Sequence, residues 1–189
     1  MSKVIALDLG KVCININPEA CPKALGINSI NSRKEYDDLF LAHELGSKNS
    51  YDFIEELNKL SSKHLSMKDV SSIFCSIICE EIPGMSEIVC ALASKGYRVC
   101  LFSDTSELHL YESLSKLSFA HLITGGVYSF ETGAVKPDRQ MFMEFERKYG
   151  KPVLYIDDKE MNCAGAEKYG WTAHCFDSPE RLEKVVQGL

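Results

Sequence analysis

Short apolar runs separated by longer mixed stretches give this chain its texture. Residues 4–7 (Val-Ile-Ala-Leu), 97–102, 121–124, 153–156 and 172–176 are compact and largely apolar, the pattern of strands buried on both faces of a parallel sheet. Between the later runs helical periodicity takes over. Ser86 to Lys95 is closed by Gly96, Thr105 to Leu117 is amphipathic, Pro137 opens a helix that Gly150 ends, Lys159 to Tyr169 stops at Gly170, and Ser178-Pro179 starts a last one. Strand and helix in alternation predict an α/β fold with a doubly wound parallel sheet.

Residues 17–82 break this rhythm, offering helices without convincing strands between them. Ser32-Arg33-Lys34-Glu35 reads as a capping box with Gly46 as the stop, and Ser50 precedes an amphipathic run through Phe53, Leu57 and Leu60. Ser66-Met67-Lys68-Asp69 opens another helix expected to end near Pro83, with Cys75 and Cys79 on one face. The expected organisation is therefore a core of residues 1–16 and 83–189, with 17–82 inserted as a helical cap. Ligands of such sheets bind beyond the carboxyl ends of the strands, so a cap emerging after the first strand would roof the site.

Composition narrows the class without changing the fold. At 189 residues, 45% apolar and 25% charged, the chain is an ordinary globular one, and its net charge of −6 disfavours a nucleic-acid or anionic membrane surface. A small anionic ligand needs only a local cationic pocket and stays open. The first apolar run is too short for a signal-peptide core and no stretch approaches about 20 apolar residues, so a cytoplasmic protein without membrane partners is expected. Eight cysteines without a CxxC pair are read as reduced thiols rather than as disulfides or a zinc site.

Chemistry concentrates at the ends of the apolar runs. Asp8 follows the first, Ser103 the second, Lys136 lies in Gly133-Ala134-Val135-Lys136-Pro137-Asp138, and Asp157-Asp158 follows Val153-Leu154-Tyr155-Ile156. A parallel sheet would gather them at one edge. Adjacent carboxylates repel unless a cation sits between them, and magnesium prefers oxygen ligands and commonly accompanies phosphate. Asp8, Asp158 and a backbone carbonyl near Gly10 make a half-shell for Mg²⁺. Lys136 and the Ser103 hydroxyl would neutralise and orient a phosphoryl group, leaving Asp8 to attack it and water to hydrolyse the aspartyl phosphate.

These segments resemble, in order and across nearly the whole chain, the four motifs of the haloacid dehalogenase superfamily of hydrolases. Asp8-Leu9-Gly10-Lys11-Val12 looks like the first, with Asp8 as nucleophile, and Phe102-Ser103-Asp104-Thr105 like the second, where Ser103 and the amide that follows at Asp104 would hold phosphate. Lys136-Pro137-Asp138 is similar to the third, and Asp157-Asp158 with Asn162 to the fourth, Asp158 being the more direct metal ligand of the pair. The resemblance implies a Rossmann-like core, an inserted helical cap, Mg²⁺ held by Asp8, Gly10, Asp157 and Asp158, and a small phosphorylated metabolite as substrate. Asp-Leu-Gly-Lys-Val and the cap segment His43-Glu44-Leu45-Gly46 are similar to the sugar-1-phosphate phosphatase branch, of the alpha-D-glucose-1-phosphate phosphatase kind.

One position departs from the superfamily pattern. A second Asp usually stands two residues after the nucleophile as general acid and base, and here that residue is Gly10. A positioned acid contributes roughly 10²–10⁴-fold, so turnover should be slow unless another group replaces it, and substrates with good leaving groups, such as anomeric or acyl phosphates, should suffer least. His43, Glu44 and Lys48 are candidates to reach down from the cap and choose the leaving group. Lys11 is read as a solvent-facing loop residue, with approach to phosphate as the alternative. His64, His109 and His121 are read as packing or surface residues, and Asp104 and Asp138 also as helix caps. Two rival functions use the same residues: metal-free dehalogenation through Asp8, and phosphate binding without turnover.

Overall fold

A computed structural model describes residues 3–189. The first strand, β1 (Val4–Leu7), is buried at all four positions and lies at the centre of the sheet. After it come β2 (Ile14–Ile16), then four helices, α1 (Ala20–Leu25), α2 (Ile30–Glu44), α3 (Ser50–Leu60) and α4 (Met67–Cys75), then β3 (Ile78–Glu81). The remainder alternates: α5 (Met85–Ser94), β4 (Arg98–Ser103), α6 (Glu107–Lys116), β5 (Ile123–Tyr128), α7 (Ser129–Thr132), α8 (Arg139–Tyr149), β6 (Leu154–Asp157), α9 (Glu160–Lys168), β7 (Ala173–Cys175) and α10 (Pro179–Gln187). Five parallel strands form the main sheet in the order β5-β4-β1-β6-β7. The strand order reverses beside β1, so the ends of β1, β4 and β6 open onto one crevice.

Side-chain alternation builds the two faces. Ile5 and Leu7 point with Val99, Leu101, Leu154 and Ile156 into a core closed by Ile88 and Leu92 of α5 and Leu182 and Val186 of α10. Val4 and Ala6 point the other way, with Cys100, Phe102 and Tyr155, onto Phe142 and Phe145 of α8 and Trp171. The first of these cores continues without a break into Phe53, Leu57, Val70 and Phe74 of the inserted helices. Burying each such side chain contributes about 1.5–3 kcal/mol, which ties the insertion firmly to the sheet.

Several element boundaries differ from the sequence reading, for local reasons. The cap of α2 is Ser29, whose hydroxyl accepts from the Ser32 amide; Ser32 therefore sits at the third helical position and the expected box at Ser32 to Glu35 lies inside the helix. Asn49, not Ser50, caps α3 by accepting from the Asp52 amide. The helix opened by Ser66 ends at Cys75 rather than near Pro83, so Cys75 and Cys79 do not share a helix face. Cys79 lies on β3, which pairs antiparallel with β2 as a two-stranded ribbon at the root of the insertion. The strand expected at 121–124 runs from Ile123 to Tyr128, because its Gly125-Gly126 pair masks the alternation. Gly46, Asp138 and Ser178 do stand at the helix ends expected of them. No described helix is long and apolar enough to cross a membrane, and all eight cysteines are unpaired.

Candidate active site

The turn after β1 is tight. The Leu9 carbonyl accepts from the amides of Cys13 and Ile14, while the Lys11 amide donates to Ile14, holding Lys11 at a left-handed φ of 60°. The turn brings Asp8, Gly10 and Lys11 onto a cavity of about 360 Å3, whose wall also includes Ser103, Asp104, Lys136, Asp158 and Lys159. The ends of three strands thus converge as their order requires.

Lys136 is the hub of this floor. Its buried ammonium donates to Asp8 Oδ1 at 2.8 Å, to Asp157 Oδ2 at 2.7 Å and to the Phe102 carbonyl at 2.9 Å. Burial opposes its charge, yet the carboxylates of Asp8 and Asp157 hold its pKa well above the ordinary lysine range. Burial lifts the Asp8 carboxyl to about 6 against the pull of Lys136, and Asp157 adds repulsion. Burial would lift Asp157 too, but Lys136 and hydrogen bonds from Lys136, Tyr155 and the Lys159 amide keep it below the usual carboxylate range. Asp104 accepts from the Lys136 amide at 2.9 Å, so its carboxylate pins the lysine loop rather than facing an anion directly.

Asp8, Asp157 and Asp158 each offer an oxygen within 4.8 Å of the others, a donor set suited to a hard divalent cation. The three are not equivalent. Both Asp157 oxygens already accept from Asn162, one from Lys136 and Tyr155 and the other from the Lys159 amide. Asp158 lines the cavity, and burial with the neighbouring Asp157 raises its carboxyl, partly offset by Lys159 and Lys11. An added cation would relieve that repulsion.

The insertion supplies the roof. Arg33, Tyr36 or Asp37, Phe40 and Glu44 recur on α2 every three or four residues and all five line the cavity, as do Ile77 and Ile78 at the start of the ribbon strand β3. His43 does not: it is buried, stacks on Phe53 and pairs through Nδ1 with the Lys48 carbonyl, so it packs the insertion instead of facing substrate. Lys48 pairs with Glu56 at 2.6 Å and lies outside the cavity wall. His109 also lines the cavity, its Nε2 paired with the Phe74 carbonyl and its pKa pushed by burial to about 4, which keeps the ring neutral. Of the α2 face sequence reasoning named Glu44 alone, and it missed Lys159 and the Tyr155 hydroxyl that braces Asp157. The rest of that face was available as a helical stripe, had the helix start been set at Ile30.

A clamp joins this roof to the core. The buried Ser129 hydroxyl lies 2.7 Å from the Glu44 carbonyl and accepts from the Thr105 amide at 2.9 Å. Gly46, at φ 69°, packs so closely on Phe130 that a Cβ would overlap its carbonyl oxygen. Gly46→Ala is expected to destabilise by about 2 kcal/mol or more, adding left-handed strain to backbone overlap, and to lower Tm by roughly 4–8 °C. Thermal melts check this; a Tm equal to that of the parent would mean the clamp carries no load.

The sequence profile of the haloacid dehalogenase-like hydrolases matches residues 15–175. A predicted HAD-like family hydrolase from Porphyromonas gingivalis is 27% identical, with 100% of this chain and 97% of that chain covered and a TM-score of 0.80. A HAD family enzyme from Bacteroides thetaiotaomicron, solved in complex with magnesium and inorganic phosphate, is 23% identical over 93% and 94% of the two chains, with a TM-score of 0.80. L-2-haloacid dehalogenase from Xanthobacter autotrophicus is 13% identical over 92% and 76%, with a TM-score of 0.64. Among curated proteins nothing matches.

Proposed function

The chain belongs to the haloacid dehalogenase-like hydrolases, and from that premise we propose that it is a Mg²⁺-dependent phosphatase of a small phosphorylated metabolite. The observation that carries this is the floor of the cavity: a buried carboxylate, Asp8, beside a buried ammonium, Lys136, with Asp158 close enough to share a cation. Asp8 and Asp158 would hold Mg²⁺ together with the Gly10 carbonyl, and Asp157 would position Lys136. Bound there, the ion supplies positive charge that lets a carboxylate approach an anionic phosphoryl group. The Bacteroides relative carries both magnesium and phosphate, which supports the same pairing here.

In this reading Asp8 attacks phosphorus through a carboxylate oxygen, and the bond to the leaving oxygen breaks. Lys136 and the Ser103 hydroxyl hold the phosphoryl oxygens, aided by the amide at Asp104. Water then hydrolyses the aspartyl phosphate and returns Asp8. Residues 17–82 act as the cap, and Arg33, Tyr36, Asp37 and Phe40 give the leaving group a wall that is part charged and part aromatic. That mixed wall and the pattern Asp-Leu-Gly-Lys-Val favour a sugar 1-phosphate among the candidates. Metal-free dehalogenation fits less well, since Asp8 and Asp158 without a cation repel.

The test is a screen of phosphorylated metabolites with and without magnesium, scored for phosphate, alongside haloacids scored for chloride. Phosphate release that a chelator removes and magnesium restores is expected. Chloride release without magnesium, and no phosphate from any ester, would overturn the reading.

A further inference from the structure

Gly10 leaves the proposed reaction without its usual proton donor, and the roof offers one carboxyl that nothing else accounts for. Of the acidic residues on α2 that line the cavity, Asp37 is paired with Arg33 at 3.4 Å. Glu44 faces the same space, yet among the described residues no donor lies within hydrogen-bonding distance of its carboxyl. Its backbone is held firmly all the same, by Ser129 on its carbonyl and by the close approach of Gly46 to Phe130 two residues on. A carboxyl kept free of partners at the end of a clamped helix, lining the same cavity as the nucleophile, is available to a leaving group bound there.

Resting on the phosphatase reading above, we propose that Glu44 is the general acid and base of this site. As an Asp8 oxygen bonds to phosphorus and the bond to the leaving oxygen breaks, the Glu44 carboxylic acid gives its proton to that oxygen. The resulting carboxylate then takes a proton from the water that attacks the aspartyl phosphate, which frees Asp8 and inorganic phosphate and restores the acid. Burial lifts Glu44 to about 7; Asp104 after β4 and Asp8 after β1 push it further up, while Lys159 before α9 and Lys136 before α8 pull it down. Both protonation states are therefore available near neutral pH, as the two steps need.

Glu44→Gln, an isosteric change, tests this on the full chain with magnesium, across phosphate esters from p-nitrophenyl to simple alkyl. We expect kcat to fall about 10²-fold or more on alkyl esters and by less than about 10-fold on p-nitrophenyl phosphate, steepening the dependence on leaving-group pKa. The fall of kcat/KM above about pH 7, where the wild-type acid ionises, should disappear. A second variant separates chemistry from architecture. A Cβ at Gly10 would meet Ile16 at 3.6 Å, an ordinary contact without a left-handed backbone, so Gly10→Asp starts free of a Cβ clash and introduces the usual acid. In that background Glu44→Gln should cost less than about 3-fold on alkyl esters. An equal loss on every ester, an unchanged pH profile, or a loss undiminished by Gly10→Asp would overturn the assignment of Glu44 alone. A wild-type protein that releases phosphate from no ester would overturn the phosphatase reading and this proposal with it.

Discussion

Asp8→Asn is expected to reduce phosphate release by about 10⁴-fold or more while leaving the fold intact, because an amide cannot form the acyl phosphate and no neighbouring group can. Asp157, the other carboxylate that Lys136 touches, is fully buried and saturated with donors, and in the proposed mechanism Asp158 is taken up in holding the cation. Stability should move differently from activity. The folded pKa of Asp8 is raised from 3.8 to about 6, so the folded state binds this proton more tightly than the unfolded chain does. Ionising Asp8 thus weakens the fold progressively from about pH 4 to about pH 6, and the whole penalty is present at pH 8. In metal-free buffer at pH 8 the variant should melt no lower than the wild type, and the stabilisation by magnesium should shrink, since one ligand is lost. Phosphate assays and melts with and without magnesium decide the matter. Turnover surviving in the variant would remove Asp8 as nucleophile, and an unchanged magnesium shift would remove it as ligand.

The floor of this site is legible in the sequence because a parallel sheet imposes its own geometry. Val4 to Leu7 is too short and too apolar to be anything but a buried strand, and whatever follows it must emerge at the same edge as the residues after β4 and β6. Asp8, Ser103 and Asp158 therefore meet in space although up to 150 positions separate them. The roof obeys weaker rules. Ser29 and Ser32 lie three residues apart and both suit a helix start, and only the extended backbone at Ser29 decides between them. The β2–β3 ribbon is three and four residues long, with Asn15 and Glu80 pointing outward, too little alternation to stand out. His43 and Glu44 are neighbours in sequence, but a helix turns successive residues by about 100°, so one packs on Phe53 and the other faces the cavity. A one-residue difference in helix phase exchanges those roles, which is why the sequence could nominate both and distinguish neither.

Lys136→Met tests the other half of the floor, and its effect should reach both stability and rate. Methionine nearly matches the volume of the lysine stem but leaves Asp8 and Asp157, both buried, facing each other without a cation. Removing one partner from a buried ionic cluster costs about 3–5 kcal/mol, which for a chain of this size lowers Tm by roughly 6–20 °C. The fall of stability with rising pH that Asp8 already gives the wild type should steepen. In the wild type Asp157 is held below its ordinary pKa, so it contributes stability above about pH 4 that is lost as the pH falls through its lowered folded value. Without Lys136, burial and the repulsion of Asp157 lift Asp8 further above its unfolded value, while Asp157 loses its cation but keeps the hydrogen bonds from Tyr155, Asn162 and the Lys159 amide, so stability is present at low pH and falls as the pH rises through the raised Asp8 value. In metal-free buffer the variant's Tm should therefore drop more between pH 5.5 and pH 8 than that of the wild type does. Rate should fall about 10²–10³-fold, the usual result of removing one charge that stabilises a transferring group. Lys136→Arg is not expected to rescue it, because the planar fork is wider than an ammonium and the site is closed around a point charge by the Phe102 carbonyl and the Phe102 and Tyr155 rings. A methionine variant as stable as the wild type at pH 8 would show that the two carboxylates do not need this cation, and Lys136 would lose its place as the hub of the floor.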